Sequence, residues 1–299
     1  MLAADVLLVS MGDHFDWGKR EETPRATDEG LALLAWLAHH EPNQVVIIAG
    51  NHDLGRVGEL ATFDDETFVR MRDEARIAYD TKDDASFLAR WPELPTAEVG
   101  ARDFSCFRAQ QRVLVAHLLQ QHRFQLAFAP DDGHLFLHAG VTIPHLEKLG
   151  MDPKSTAQSM ANALNRHFER AVDAWDPTTR LSIPHLHTPG DKASGEGGGI
   201  LYHRAAFDRW NARRFDPRLL PLHVTQLIGH VRDQKSRTLL TPAWCKDEPA
   251  EDGPIRHLTT DGKNVHYAHG LPDGKAQMIF LDGGMHHIAD PKKYELYRF

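Results

Sequence analysis

Short glycine-containing segments with polar side chains follow four apolar runs of the sequence. They are Gly12-Asp13-His14-Phe15-Asp16-Trp17-Gly18, Gly50-Asn51-His52-Asp53, His138-Ala139-Gly140 and Gly229-His230. Their carboxylate, carboxamide and imidazole groups form a mixed donor set that suits Mn, Fe or Zn. It differs from the all-oxygen set of Ca²⁺ and from the thiolate set of structural Zn²⁺. A pair of such cations in one site activates water and stabilises a phosphoryl group in transfer.

Each polar segment comes directly after a predicted β-strand. Val6–Ser10 and Val45–Ala49 are short apolar runs followed closely by glycine, a pattern typical of buried parallel strands. Between them, Thr27 and Asp28 are typical of a helix N-cap, and Pro42 ends the helix. In an open α/β sheet, ligands bind beyond the carboxyl ends of the strands. The polar segments are therefore predicted to share one site, although they lie far apart in the sequence.

The rest of the sequence alternates helical segments with short strands. Helical periodicity runs from Asp64 to about His122, and again from about Lys154 to Trp175. Further strands are predicted at Phe124–Ala129, His134–His138, Val224–Ile228, Arg237–Leu240, Val265–Tyr267 and Gln277–Leu281. No long linker divides the chain, so we expect a single α/β domain over residues 1–299, with helical insertions at about 57–122 and 152–199.

Composition and charge argue against several classes of protein. The chain has 299 residues, of which 41% are hydrophobic and 25% charged, as in ordinary globular domains and unlike disordered chains. Its net charge of −8 disfavours a nucleic acid as partner. No apolar run approaches the roughly 20 residues that span a bilayer, so no membrane contact is expected. Cys106 and Cys245 form no CxxC pair and no signal-peptide pattern is visible, which predicts a cytoplasmic protein.

The four polar segments, in this order, resemble the motif blocks of the calcineurin-like metallophosphoesterase superfamily. The similarity is greatest to the phosphoprotein-phosphatase branch, including its bacterial members. The resemblance implies a four-layer α/β/β/α sandwich. It also implies hydrolysis of a phosphoester by a hydroxide held between two divalent metal ions, with Mn, Fe and Zn as the expected metals. The implied partner is a phosphorylated substrate, either a small molecule or a phosphoprotein.

The resemblance implies metal-binding roles for individual residues. The expected metal ligands are Asp13, Asn51, His138 and His230. Asp13 matches the aspartate that bridges both metals, and Asn51 matches a ligand that also touches the phosphate. Asp53, in the second block, and Asp282, at the last core strand, are expected to position the metal ligands or the surrounding backbone rather than to bind metal.

The resemblance also implies three catalytic residues. His52 matches the general acid that protonates the leaving oxygen, and Asp16 matches the carboxylate that keeps this imidazole charged and oriented. The segment Gly198–Arg204 is similar to the stretch from which bacterial relatives supply a phosphate-binding arginine. Arg204 is therefore the expected phosphate clamp.

Two features depart from the family pattern. Trp17 stands where the motif GDxxDRG has arginine, so one phosphate-binding arginine is absent and small or differently shaped phosphoesters come into consideration. No Asp-x-His, the family's first block, precedes Asp13. The domain is therefore expected either to be N-terminally incomplete or to lack part of the first metal site. A non-catalytic pseudo-phosphatase that serves as a binding module is the alternative function, and a nuclease of the same superfamily is less favoured.

Overall fold

Separate β-sheets in two parts of the chain give the protein a mixed α/β fold, as predicted. The computed structural model describes residues 2–299 apart from residues 19, 209–211, 247 and 289. The first unit comprises Met1–Gln125 and Phe168–Gly198, and the second comprises Leu126–His167 and Gly199–Phe299. Among the described residues, no helix is both long and apolar enough to cross a bilayer.

The first unit contains a three-stranded parallel sheet and a group of helices. Its elements are β1 (Leu8–Ser10), α1 (Thr23–His39), β2 (Val45–Ile48), α2 (Asn51–Gly55), α3 (Asp65–Thr81), α4 (Asp84–Arg90), α5 (Ala109–Gln120) and β3 (Phe124–Gln125). A 3₁₀ helix at Arg20–Glu22 and a π-helix at Val99–Asp103 lie between them. β2 is central and pairs in parallel with both β1 and β3. All of its residues are buried, as expected for a strand covered on both faces.

The β-α-β order predicted for the start of the chain is confirmed, but helix α1 begins earlier than its predicted cap. Pro24 lies in the first turn, where its missing N–H has no helical partner to lose. Thr27, the predicted cap, is buried inside the helix, and its hydroxyl donates a hydrogen bond to the carbonyl of Thr23 at 2.8 Å. The helix ends at His39, ahead of Pro42.

Helices α3 to α5 confirm the predicted helical block and surround a hydrophobic core in the first unit. This core includes Phe68, Met71, Phe87, Trp91, Phe104 and Phe107. Asp64 caps α3, because its carboxylate accepts a hydrogen bond from the N–H of Thr67 at 2.7 Å. Ile77 of α3 is 66% exposed and lies outside this core.

The second unit contains a six-stranded mixed sheet. Its elements are β4 (Ala127–Phe128), β5 (His134–Leu137), α6 (Ile143–Lys148), α7 (Ala157–Asp173, of which 157–167 belong to this unit), β6 (Arg204–Ala205), β7 (Arg214–Phe215), β8 (Thr225–Ile228), α8 (Asp233–Leu240), β9 (Arg256–Thr260), β10 (Val265–His269) and β11 (Met278–Phe280). The strand order is β10-β9-β11-β8-β5-β4, with β5, β8 and β11 parallel. β6 and β7 form a separate pair. Short 3₁₀ helices occur at Ile200–Tyr202, Pro217–Leu219, Met285–His287 and Pro291–Lys293.

The strand predicted at Arg237–Leu240 is wrong, because these residues form the second half of helix α8. Asp233 lies in the first turn of α8, and its carboxylate accepts a hydrogen bond from Arg237 Nε at 3.0 Å. This contact between residues four apart stabilises the helix, and Leu240 is buried on its inner side. Strand β9 was not predicted, and the predicted strand Phe124–Ala129 is two short strands, β3 and β4, in different sheets.

Candidate active site

The carboxylate of Asp53 joins the two polar segments of the first unit. Asp53 Oδ2 accepts hydrogen bonds from the N–H groups of Asp13 and Gly50, both at 2.9 Å. Its other oxygen accepts the N–H of His14 at 3.0 Å. The side chain of Asp53 is fully buried, so water does not compete for these bonds. Asp53 therefore fixes the segment after β1 against the segment after β2.

The segment after β1 is bent by two residues with a left-handed backbone. Asp13 has a φ of 57° and Asp16 a φ of 64°. Residues other than glycine rarely adopt this region, and they do so mostly where the surrounding structure holds them in place. Asp13 Oδ1 accepts a hydrogen bond from the N–H of His52 at 2.9 Å, at the start of α2. The bend therefore brings the Asp13 carboxylate against the beginning of this helix.

Gly50 leaves no room for a side chain beside Asp13. A Cβ atom at Gly50 would lie 2.1 Å from Asp13 Oδ1 and 2.5 Å from Asp13 N. Gly50→Ala is therefore expected to push Asp13 away and to lower the free energy of unfolding by about 1–3 kcal/mol, as overpacking does. Urea unfolding followed by circular dichroism measures this change. Gly198→Ala is the control, since a Cβ there meets no atom within 4 Å; equal losses in the two variants would contradict the expectation.

His52 and Asp16 form an ion pair whose histidine ring keeps 22% of its side chain exposed. His52 Nδ1 lies 3.0 Å from Asp16 Oδ2, and Asp16 Oδ1 accepts the N–H of Cys106 at 3.0 Å. Burial opposes the charge on His52, but the carboxylates of Asp13 and Asp16 outweigh it and raise the pKa of His52 to about 9. Burial likewise opposes the charge on Asp16, but Arg56 and His52 lower its pKa to about 2. A protonated imidazole thus lies beside an ionised carboxylate.

Arg56 completes this group of charges and was not predicted from the sequence. Its side chain is fully buried, with Nη1 2.6 Å from Asp16 Oδ2. The guanidinium also packs over the ring of Phe15, 4.7 Å from its centroid. One signal was present in the sequence: Arg56 follows His52 by four residues, so the two lie on the same side of a helical turn.

In the second unit, His138 and His230 follow neighbouring parallel strands. β5 and β8 pair with Leu137 opposite Ile228, so the two histidines leave the same end of the sheet. His138 Nε2 lies 3.1 Å from His230 Nδ1, and the ring centroids are 4.8 Å apart. His230 has a left-handed backbone, with a φ of 61°. The two imidazoles converge, and their nitrogens can bind one metal ion together.

A second fully buried arginine, Arg256 of β9, holds the backbone next to His230. Arg256 Nη1 donates a hydrogen bond to the carbonyl of Val231 at 3.1 Å, and Nη2 donates to the carbonyl of Asp282. The carboxylate of Asp282 accepts the N–H of Gly284 at 3.1 Å. Asp282 therefore stabilises the turn after β11, and Arg256 ties this turn to the residue that follows His230.

Arg204, the predicted phosphate clamp, lies in β6 and is partly buried. Its Nη1 lies 3.4 Å from the carbonyl oxygen of Tyr202. The preceding residue, His203, is buried and stacks on His145 with ring centroids 4.0 Å apart. His203 Nδ1 lies 3.3 Å from the carbonyl oxygen of Gly140. No local pattern in the sequence pairs these two histidines, because they lie 58 positions apart.

The buried His203 predicts that the metal-free protein loses stability in acid. Burial, followed by the charge of His145, lowers the pKa of His203 from 6.5 to about 3. Between these pH values the unfolded chain binds a proton that the folded chain does not, so the free energy of unfolding should fall as the pH falls from 6.5 to about 3. Urea unfolding at several pH values, with chelator present, measures the slope. His203→Gln should give a flatter slope than the wild type; equal slopes would contradict the expectation.

The donor types of the predicted ligands fit a transition-metal site. Asp13 offers a carboxylate, Asn51 a carboxamide, and His138 and His230 imidazoles, which together suit Mn, Fe and Zn. In the first unit the N–H of Asp13 donates a hydrogen bond to Asp53, and Asp13 Oδ1 accepts one from the N–H of His52. In the second unit the imidazole nitrogens converge. The donor types of these residues therefore suit a metal ion, and contacts within each unit hold Asp13 and the two imidazoles in place.

Comparison with known families agrees with these features. Residues 2–231 match the family model of the calcineurin-like phosphoesterases, a span that covers most of the chain and all four polar segments. The chain belongs to this family, and it is therefore a hydrolase that acts on phosphoester bonds, with the metal dependence that the family shares. Neither a curated protein nor a solved structure matches the chain.

Proposed function

We propose that the protein is a catalytically active, metal-dependent phosphatase in which His52 protonates the leaving oxygen. The observation that supports this most is the pair formed by His52 and Asp16. The imidazole has its pKa raised to about 9, is held at Nδ1 by a buried carboxylate, and still reaches the surface. Cleavage of a phosphoester to an alcohol needs a proton donor of this kind, whereas a binding module does not.

We propose Asp13, Asn51, His138 and His230 as ligands of two divalent cations, Mn, Fe or Zn. Their donor types support this assignment, and all four residues lie in the part of the chain that matches the family. When bound, such ions stabilise negative charge on the phosphoryl group as Lewis acids. Within the first unit, Asp53 would keep Asp13 in place through its N–H, and Asp13 would in turn hold the first turn of α2.

Arg204 is the proposed phosphate-binding residue. A guanidinium can donate two parallel hydrogen bonds to phosphoryl oxygens, which a lysine cannot do. Trp17 occupies the position at which the family motif has an arginine, so this contact gains importance in the present chain.

The proposed substrate is a phosphorylated small molecule or phosphoprotein in the cytoplasm. The net charge of −8 supports a substrate other than nucleic acid. Cys106 and Cys245 are both buried and carry free thiols, which suits a reducing compartment.

Hydrolysis of aryl phosphates by the full chain tests the proposal. The protein is stripped with a chelator, supplied with Mn²⁺, and assayed with p-nitrophenyl phosphate and with bis(p-nitrophenyl) phosphate. We expect release of p-nitrophenol from the monoester that depends on added Mn²⁺. If neither ester is hydrolysed while Mn²⁺ still binds, the chain is a pseudo-phosphatase and the proposal is wrong. Cleavage of DNA alone would instead identify a nuclease.

A further inference from the structure

Residues from the helical part of the first unit contact the proposed proton donor and its carboxylate partner directly. The ring of Phe104 packs against the ring of His52, with centroids 5.4 Å apart. Ser105 Oγ donates a hydrogen bond to Asp16 Oδ1 at 3.4 Å, and the N–H of Cys106 donates to the same oxygen at 3.0 Å. One oxygen of Asp16 is therefore fixed by the segment that precedes α5.

Arg56 fixes the other oxygen of Asp16. Its Nη1 lies 2.6 Å from Asp16 Oδ2, the same oxygen that lies 3.0 Å from His52 Nδ1. Nη1 also donates to the carbonyl of His52 at 3.2 Å, and Nη2 donates to the carbonyl of Cys106 at 2.9 Å. Nε donates to Gln111 Oε1 of α5 at 3.3 Å. One guanidinium therefore connects α2, the segment before α5, α5 itself and the carboxylate.

The burial of Arg56 brings little net gain in the free energy of folding. Arg56 and Asp16 are both almost fully removed from water, and taking two charges out of water costs free energy that their attraction often only just offsets. Apolar side chains of similar volume commonly fill such a space with equal or greater stability. The arrangement is therefore better explained by what the guanidinium positions than by stability.

We propose that Arg56 is a positioning residue of the hydrolysis reaction. It holds Asp16 Oδ2 and the carbonyl of Cys106 in place, and Asp16 then holds the ring of His52 in the orientation from which it donates its proton to the leaving oxygen. The inference rests on the proposed function, since it takes His52 as the proton donor. It assigns a part in the chemistry to the helical insertion at about 57–122, which contacts Arg56 through Cys106 and Gln111.

The dependence of the rate on the leaving group tests this proposal. p-Nitrophenolate leaves without a proton, whereas the alkoxide of ethyl phosphate requires one, so a misplaced acid affects ethyl phosphate more. We expect Arg56→Met to lower kcat for ethyl phosphate at least about tenfold more than kcat for p-nitrophenyl phosphate, with KM little changed. Arg56→Lys, which keeps a charge beside Asp16, should recover part of the loss. Equal losses on both substrates would overturn the proposal.

Arg112→Met is the matched control for Arg56→Met. Arg112 is in the same unit and donates to the backbone carbonyls of Ala61 and Phe63, so it has a comparable structural role at a different place. Its replacement should change kcat for ethyl phosphate and kcat for p-nitrophenyl phosphate by the same factor. If Arg56→Met folds poorly, the Asp16→Asn background decides the question. In Asp16→Asn, adding Arg56→Lys should not change the ratio of kcat for ethyl phosphate to kcat for p-nitrophenyl phosphate. A further fall in this ratio would overturn the proposal.

A spectroscopic measurement separates this inference from the proposed function. In the chelator-treated full chain, the Nδ1 proton of His52 should give a downfield resonance that survives in Arg112→Met and is lost or shifted in Arg56→Met. An unchanged resonance in Arg56→Met would overturn the positioning role. If the wild type hydrolyses no phosphoester, the proposed function fails, and the resonance still decides whether Arg56 orients the ring.

Discussion

Replacement of His52 by asparagine is expected to lower kcat for ethyl phosphate by about 10²–10⁴-fold, the effect of losing a general acid. The loss for p-nitrophenyl phosphate should be smaller, because that leaving group departs as a stable anion. Asparagine cannot supply the proton that the raised pKa of His52 retains at neutral pH. Steady-state kinetics with both substrates at saturating Mn²⁺ measures the two effects.

His122→Asn is the matched control for this variant. His122 lies in the same unit, is exposed, and pairs with Asp173 at 3.3 Å. Its φ of 52° is one that asparagine tolerates, so the backbone should not change. The control should hydrolyse both substrates as the wild type does. An ethyl phosphate rate in His52→Asn equal to that of the wild type would show that His52 is not the acid.

Replacement of Asp13 by asparagine is expected to weaken Mn²⁺ binding by more than about 100-fold. This is a larger loss of affinity than usually follows when a residue that hydrogen-bonds to a metal ligand is removed. The asparagine oxygen can still accept the N–H of His52, which Asp13 Oδ1 accepts at 2.9 Å, so the local backbone should be kept. What is lost is the negative charge and one carboxylate ligand. Calorimetric titration with Mn²⁺ measures the affinity, and hydrolysis of p-nitrophenyl phosphate should fall with it.

Asp173→Asn controls for the loss of one negative charge, because Asp173 is exposed and lies outside the polar segments. It should leave Mn²⁺ affinity and hydrolysis unchanged. Wild-type Mn²⁺ affinity in Asp13→Asn would remove Asp13 from the proposed ligand set, even if the rate of hydrolysis changed.

Strand β2 and helix α3 were predictable because their signals are local. Val45–Ile48 is a run of four β-branched residues followed by Ala49 and Gly50, and such a run is typical of a buried parallel strand. Helix α3 has a capping pair, Asp64 and Thr67, within one turn of sequence. Patterns of this kind depend on neighbouring residues and need no knowledge of the rest of the fold.

The elements that were mispredicted depend on contacts across the fold. Arg237–Leu240 was predicted as a strand, yet the hydrogen bonds of Asp233 with Arg237 and with the hydroxyl of Tyr267 belong to the start of a helix that β10 fixes. Strand β9 carries the buried Arg256, and a charged residue in a short segment weakens its signal as a strand. In α8 a tertiary contact overrides the local preference, whereas in β9 a buried charged residue conceals the strand.

The site residues likewise fall into two groups, those with a local signal in the sequence and those without one. Asp13, Asn51 and His52 lie in short motifs whose spacing is visible in the sequence. Arg56 and Arg256 do not, since each acts through backbone carbonyls, those of Cys106 and Val231, that lie 50 and 25 residues away. Residue type alone does not distinguish a buried arginine from an exposed one, and only the fold shows which groups it contacts.

Metal-dependent hydrolysis is tested most directly by a titration of the chelator-stripped full chain with Mn²⁺, with hydrolysis of p-nitrophenyl phosphate followed in the same samples. We expect hydrolysis to rise as Mn²⁺ binds, to reach a plateau when binding is complete, and to disappear again when the chelator is restored. Mn²⁺ binding to completion without any hydrolysis, or hydrolysis that is the same with and without the metal, would contradict this expectation.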